Sequence, residues 1–333
     1  MRCLGLEGTA HTLGIGIVDD GGRILANRVE MYRPAVGGIH PREAANHHAD
    51  RLRPVLRAAL READIQLRDL DLIAFSQGPG LGPSLRTVAT AARALSLSLG
   101  LPIVGVNHCI AHVEIGRAVT PARDPVLLYL SGGNTQVISY ARGRYRVFGE
   151  TLDIGLGNLL DKVGRTLGFP FPAGPEIERR AREGKELLPL PYSVKGMDVA
   201  FSGILTAAQA LRAKGASVED LCFSLQEITY AMVTEVAERA MAHLGKEEIL
   251  LGGGVACNER FRTMVAAMAK AREARMFVPP KALCVDNGAM IAWTGILMHD
   301  AGLDLAIEET GVNQNMRTDA AEAPWVTEGA GPG

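Results

Sequence analysis

One pattern occurs twice in this chain and limits what it can fold into. Residues 3–19 read as an apolar strand, a turn at Leu6-Glu7-Gly8-Thr9-Ala10, and a strand with alternating apolar positions; Asp20-Gly21-Gly22 then turns the chain into a third strand over 23–30. The same order returns at Val126-Leu127-Leu128-Tyr129-Leu130, a turn at Ser131-Gly132-Gly133-Asn134-Thr135, a strand to Tyr140, a turn at Gly143 and a strand over 145–149. Such a repeat implies an internal duplication, hence two related lobes. Between the openings the patterning predicts a helix over 42–63 that bends at or tolerates Pro54, a strand over 70–75, a helix over 84–99, a strand over 103–106 and a short helix carrying His108 and His112. Helices over 158–167, 202–213 and 217–244 follow the second opening, then a strand over 249–251 and helices over 258–271 and 287–299. Strand meanders alternating with helices make the fold class α/β.

At 333 residues and 47% hydrophobic, the chain is long enough for two lobes with their own cores. No apolar run approaches the roughly 20 residues of a membrane-spanning helix, and no signal-peptide pattern precedes the first strand. Five scattered cysteines form neither a zinc framework nor a disulfide scaffold, so a reducing cytoplasmic setting is expected. A net charge of −2 gives no electrostatic footprint for nucleic acid, so an RNA substrate would need partners to help hold it. The local basic runs Arg179-Arg180, with Arg182, and Arg142, Arg144 and Arg146 read as solvated faces.

The two repeated glycine turns put backbone N–H groups where no side chain blocks an anion, so each is a candidate phosphate cradle; taken singly, each is an ordinary hairpin turn. A third run, Gly252-Gly253-Gly254 followed by Val255-Ala256-Cys257-Asn258, lies at a strand-to-helix junction that suits an adenine nucleoside. It is neither a Walker loop nor a G-x-G-x-x-G turn. His108 and His112 are four apart, a spacing that lets two imidazoles on one helical face meet one metal ion, although an isolated pair is as readily structural. Position 109 is cysteine rather than the glutamate a zinc peptidase needs. Asp161 and Glu178 are candidate ribose ligands, and Gly174 lies in a turn between them; each also reads as an ordinary surface residue. Asp286 stands before Asn287-Gly288 at a helix start, where it serves equally as a plain N-cap.

Taken together, the segments beginning Gly5-Leu6-Glu7-Gly8-Thr9-Ala10-His11-Thr12, Gly37-Gly38-Ile39-His40-Pro41, Gly78-Pro79-Gly80-Leu81-Gly82, Asn107-His108-Cys109-Ile110-Ala111-His112, Tyr129-Leu130-Ser131-Gly132-Gly133-Asn134 and Gly252-Gly253-Gly254-Val255 resemble the universal tRNA threonylcarbamoyl transferase family across nearly the whole chain. Ala10-His11-Thr12 and Tyr129 resemble the archaeal and eukaryotic branch, whose members form the catalytic subunit of the KEOPS complex. The resemblance implies a two-lobed actin-like, Hsp70-like and sugar-kinase-like fold, a duplicated ribonuclease H-like core. Its expected division is an N-terminal lobe over 1–124, a C-terminal lobe over 125–300 with a nucleotide and metal cleft between them, a segment over 301–325 returning to the first lobe, and a disordered tail over 326–333. The implied activity moves threonylcarbamoyl from threonylcarbamoyl-AMP to the adenosine beside the anticodon of tRNAs reading codons that begin with A. The implied metal, usually described as iron(II) with zinc or magnesium as alternatives, would be held by His108, His112, Tyr129 and Asp286. Tyr129, Leu130, Ser131, Gly132, Gly133, Asp161, Gly174, Glu178 and Asn258 would contact adenine nucleotide or adenylate. The implied partners are tRNA, a small atypical kinase or ATPase subunit, and two further small subunits. Asn46, Asn313 and Asn315 depart from the family pattern, away from these positions.

No general base is assigned from sequence; Glu7 and His11 lie beside the first glycine turn without a stated role. The alternatives are an actin-like ATPase or sugar kinase, which needs no paired histidines; a metalloprotease, which lacks its glutamate; and a non-catalytic nucleotide-binding scaffold subunit.

Overall fold

The computed structural model describes residues 1–34 and 37–326. The expected tail over 326–333 lies outside the described residues apart from Val326. The chain forms two compact units. The first comprises Met1–Val119, Arg142–Tyr145 and the chain from Val285 onward; the second comprises Thr120–Ala141 and Arg146–Cys284.

The elements are β1 (Arg2–Glu7), β2 (Thr12–Asp19), β3 (Ile24–Met31), α1 (Pro41–Glu62), β4 (Leu72–Gly78), α2 (Gly82–Leu99), β5 (Ile103–Asn107), α3 (His108–Val119), β6 (Val126–Leu130), β7 (Thr135–Ala141) and β8 (Arg144–Glu150). They continue with α4 (Leu156–Thr166), α5 (Gly174–Ala181), β9 (Val194–Lys195), β10 (Asp198–Val199), α6 (Ser202–Ala213), α7 (Val218–Leu244), β11 (Glu248–Gly252), α8 (Glu259–Ala271), β12 (Arg275–Phe277), α9 (Lys281–Cys284) and α10 (Gly288–Asp300). The duplication is borne out in topology. One sheet runs β3-β2-β1-β4-β5 and the other β8-β7-β6-β11-β12, each an antiparallel meander extended by two parallel strands.

Each sheet packs its own core. In the first unit Leu4, Leu6, Ile15, Ile17, Ile73 and Phe75 of the sheet meet Val55, Ala59, Val88 and Ala92 of α1 and α2. In the second, Leu128, Leu130, Ile249 and Leu251 meet Leu159, Ile177, Leu225, Val233 and Phe261 of the helices. Helix α10 lies so close on β1 and β2 that glycine is required: a Cβ at Gly5 would stand 2.3 Å from the Ala292 nitrogen, and one at Gly16 2.2 Å from the Ala289 nitrogen. That close seat fixes the N-terminus of α10, and with it Asp286.

The structure corrects the sequence reading at α5. Pro172-Ala173-Gly174-Pro175-Glu176 reads as a turn, yet Gly174 opens a two-turn helix, because proline in the first helical turn lacks only an N–H that has no partner there. Pro54, by contrast, is accommodated inside α1 as expected. Among the described residues no helix is long and apolar enough to cross a membrane.

A candidate metal centre and a candidate phosphate turn

Strand β5 runs directly into α3, and Asn107 makes the junction by accepting the Cys109 and Ile110 N–H groups at 3.0 and 3.3 Å. The first helical residue is therefore His108, with His112 one turn on. Their rings meet edge to face with centroids 4.9 Å apart. Just before α10, Asp286 brings one carboxylate oxygen to 3.4 Å from both imidazole Nε2 atoms. Asp286 is thus not the N-cap that its position suggests. Asn287 caps α10, accepting the Met290 N–H at 3.0 Å, which leaves Asp286 turned toward the histidines.

One ligand atom from each of His108, His112 and Asp286 lies within 4.8 Å of the other two. Both histidines are only 2% exposed, so the pair is not a solvated face. Two imidazoles and a carboxylate fit a borderline divalent cation. Burial pushes the His112 imidazole below its ordinary pKa, toward the neutral form that ligates. Burial alone would raise Asp286, but the two imidazoles against it, His108 foremost, outweigh it and hold the carboxyl well below the usual range.

Sequence reasoning left Glu7 without a role, and the structure supplies one. Its carboxylate is 0% exposed, and one oxygen sits 3.0 Å from His108 Nδ1. The other oxygen accepts the Thr9 N–H at 2.7 Å and its hydroxyl at 2.5 Å. A carboxylate on Nδ1 favours a proton there, which in the neutral ring leaves the Nε2 lone pair for a cation shared with Asp286, the arrangement that orients metal-binding histidines. The available signal was a carboxylate closing an otherwise apolar strand.

Glu7 also disposes of the first glycine turn as a phosphate cradle. The Gly8 N–H donates to the Ser76 hydroxyl at 3.0 Å and the Thr9 N–H to Glu7, so both are committed. Gly8 is a packing glycine: a Cβ would stand 2.5 Å from a Val88 methyl.

The second turn differs. Ser131 and Asn134 close it with hydrogen bonds of 2.8 and 3.0 Å, but among the described residues the N–H groups of Gly132 and Gly133 have no protein acceptor. A Cβ at Gly133 would meet nothing within 4 Å. The start of α4 is tied beneath it, with the Gly157 and Asn158 N–H groups donating to the Ser131 and Gly132 carbonyls at 3.0 Å. Leu130 and Tyr129, at the end of β6, lie against β11, and Gly253 needs its positive φ and missing Cβ because the Leu130 carbonyl oxygen would be 2.2 Å away. The carboxyl ends of β6 and β11 therefore gather Tyr129 to Gly133 with Gly252 to Gly254, where open parallel sheets bind ligands. The other candidates are held at helix starts within this unit. Asp161 accepts the Ala173 N–H at 2.8 Å beside Gly174, Glu178 accepts the Glu259 N–H at 2.9 Å, and Asn258 caps α8 while donating to Gln226 at 2.7 Å.

A sequence profile of the TsaD family, tRNA N6-adenosine threonylcarbamoyltransferase, matches residues 23–293. This chain belongs to that family. The tRNA N6-adenosine threonylcarbamoyltransferase of Thermococcus kodakarensis is 57% identical over 326 residues, covering 98% of this chain and 100% of that one. A "Probable bifunctional tRNA threonylcarbamoyladenosine biosynthesis protein" of Methanocaldococcus jannaschii is 55% identical over 328 residues, 98% of this chain and 61% of its own length. The chain thus spans about three fifths of that bifunctional relative and of several like it. Among solved structures, T. kodakarensis HypF superposes with a TM-score of 0.61 at 16% identity over 90% of this chain and 48% of that one. The activator of the 2-hydroxyisocaproyl-CoA dehydratase from Clostridium difficile superposes at 0.57 and 12% identity over 91% and 97%. At such identities these neighbours show the fold alone, and they bear out the expected actin-like class for this member of the TsaD family.

Proposed function

We propose that this chain transfers threonylcarbamoyl from threonylcarbamoyl-AMP to the exocyclic amine of the adenosine beside the anticodon of tRNAs reading codons that begin with A. The observation that carries the reading is the buried convergence of His108, His112 and Asp286 in a member of this family. In the reaction the amine nitrogen bonds to the carbamoyl carbon, the bond from that carbon to the phosphate oxygen breaks, and AMP departs while the amine gives up a proton. A divalent cation held by His108, His112 and Asp286 would supply positive charge to the carbamoyl carbonyl. We assign it as iron(II), with Tyr129 as a fourth ligand; support for Tyr129 and for iron is the sequence resemblance.

This chain's residues supply orientation. Glu7 holds His108 in one tautomer, and Asp286 stays ionised between the imidazoles. The open N–H groups of Gly132 and Gly133 would receive the adenylate phosphate, and Asp161, Gly174, Glu178 and Asn258 would line the nucleoside. Holding two large substrates in register provides the proximity term, so no protein nucleophile is required. The setting proposed is a cytoplasmic KEOPS-type assembly with a small atypical kinase or ATPase and two further small subunits.

The test is transfer of labelled threonylcarbamoyl from the adenylate to tRNA by the chain with those partners, comparing wild type with the His108→Ala, His112→Ala double variant. Label on tRNA that disappears in the variant supports the reading. ATP turnover with no labelled tRNA in the wild type contradicts it and returns the chain to the ATPase or scaffold class.

A further inference from the structure

Two cysteines that stand far apart in sequence meet beside the third glycine run. Cys257 ends a single helical turn over Gly254–Cys257, directly before Asn258, and Cys284 ends α9. The backbone seats that turn on α9: the Gly253 N–H donates to the Cys284 carbonyl at 2.8 Å, and the Ala256 N–H closes back on the Gly253 carbonyl at 3.1 Å. The Cys257 thiol is thereby brought within hydrogen-bond reach of the Cys284 thiol. The two sulfurs differ in access. Cys284 is buried, with its thiol 3.3 Å from the Pro279 carbonyl oxygen, whereas Cys257 is the one of the five cysteines that is partly exposed.

Attack on sulfur needs a thiolate that solutes can reach. Contact with the Cys284 thiol, with the Arg262 and Lys281 charges behind it, outweighs burial and brings the Cys257 thiol down to about 7. An attacking thiol is most effective when its pKa lies near the ambient pH. Burial pushes the thiols of Cys3, Cys109 and Cys222 up, so none of these competes. Cys284, screened by its burial, can act only on the Cys257 sulfur. An accessible, acidified thiol among cations with a second thiol against it is the composition of a redox-reactive pair, and in a reducing compartment such a pair works transiently rather than as a staple. Closure also has a mechanical consequence. A covalent S–S bond is shorter than the contact it replaces, so it draws the turn onto α9. Gly253 is already pinned there, and the movement passes to Asn258, which caps α8 by accepting the Phe261 N–H at 2.9 Å and donates to Gln226 at 2.7 Å.

We propose that Cys257 and Cys284 form a redox-active pair that a small-molecule disulfide closes into an intramolecular disulfide, and that closure weakens adenylate binding beside Asn258. The Cys257 thiolate attacks one sulfur of the small disulfide, forming a mixed disulfide and releasing one thiolate. The Cys284 thiol then attacks the Cys257 sulfur, and the second small thiol leaves. Two cysteines are oxidised, one disulfide is reduced to two thiols, and the protons lost by the cysteines end on those thiols. The consequence for adenylate rests on the transferase reading above. In the experiment the full-length chain is incubated with oxidised glutathione, its remaining thiols are alkylated, and disulfides are mapped by peptide mass spectrometry, with calorimetric affinity for a non-hydrolysable adenylate measured before oxidation, after it and after dithiothreitol. A Cys257–Cys284 cross-link is expected, with Cys3, Cys109 and Cys222 still reduced, and affinity should fall about tenfold and return on reduction. The Cys284→Ser variant should stop with glutathione on Cys257, and in Cys257→Ser the Cys284 thiol should stay reduced. No cross-link, glutathione that remains on Cys257 in the wild type, modification of Cys284 in Cys257→Ser, or a cross-link that leaves the affinity unchanged overturns the proposal. Reduced wild type that binds no adenylate, while the cross-link still forms, supports the pair and contradicts the adenylate reading instead.

Discussion

The two glycine turns close the same meander in two copies of one topology, yet they do different work. In the β1–β2 turn, Glu7 to Ala10, the Gly8 and Thr9 N–H groups are bound to Ser76 and Glu7, and Glu7 in turn reaches His108. The β6–β7 turn, Ser131 to Asn134, is closed by its own serine and leaves the Gly132 and Gly133 N–H groups open. Duplication reproduces a backbone, while the side chains beside each turn decide whether it orients a metal ligand or receives an anion.

The strongest way to break this comparison is Glu7→Gln. An amide can present its oxygen to Nδ1 but does not hold the imidazole as a carboxylate does, so metal affinity should fall about 10–100-fold, read by competition with a chelating dye. Unchanged affinity would return the first turn to a plain structural role. Gly8→Ala should cost about 1–3 kcal/mol in denaturant unfolding, because its methyl meets Val88, while leaving adenylate affinity as it was. Gly133→Ala should do the reverse. Its methyl meets no protein atom, so the melting temperature should hold, while calorimetric affinity for a non-hydrolysable adenylate falls roughly tenfold, about the worth of one charge-assisted hydrogen bond. If both substitutions act alike, the distinction between the turns is wrong.

A smaller effect sharpens the picture of the second unit. Burial would raise the carboxyl of Asp153, but the Phe201 and Ser202 N–H groups at 2.9 and 2.8 Å outweigh it and bring it down to about 2. A pKa depressed in the folded state contributes stability that is complete above the unfolded value near 3.9 and lost as pH falls through about 2. Since the residue is exposed, the contribution is on the order of 1 kcal/mol after solvent screening. Melting temperatures of wild type and Asp153→Asn should therefore differ at neutral pH and converge between about pH 4 and pH 2.

Much of the molecule could be read from periodicity. The doubled strand–turn–strand opening announced the duplicated sheets, and the spacing of His108 and His112 announced one shared helical face. What could not be read depended on contacts between distant residues. Glu7 and His108 are 101 positions apart, and no local pattern says that a strand-ending carboxylate is buried against an imidazole. Asp286 and Asn287 are both capable N-caps, and only the tight seat of Gly288 on β2, where a Cβ would lie 2.1 Å from the Gly16 nitrogen, fixes which one faces the histidines. Helix α5 was hidden by Pro172, Gly174 and Pro175, which mark a turn and a helix start with the same residues.

The most direct test of the central claim is the metal content of the purified chain. The protein would be reconstituted with iron(II) under anaerobic conditions, desalted and measured by elemental mass spectrometry, beside a variant carrying His108→Ala, His112→Ala and Asp286→Ala. The account predicts close to one metal ion per wild-type chain and none retained by the variant; equal metal in both would place the ion elsewhere and contradict it.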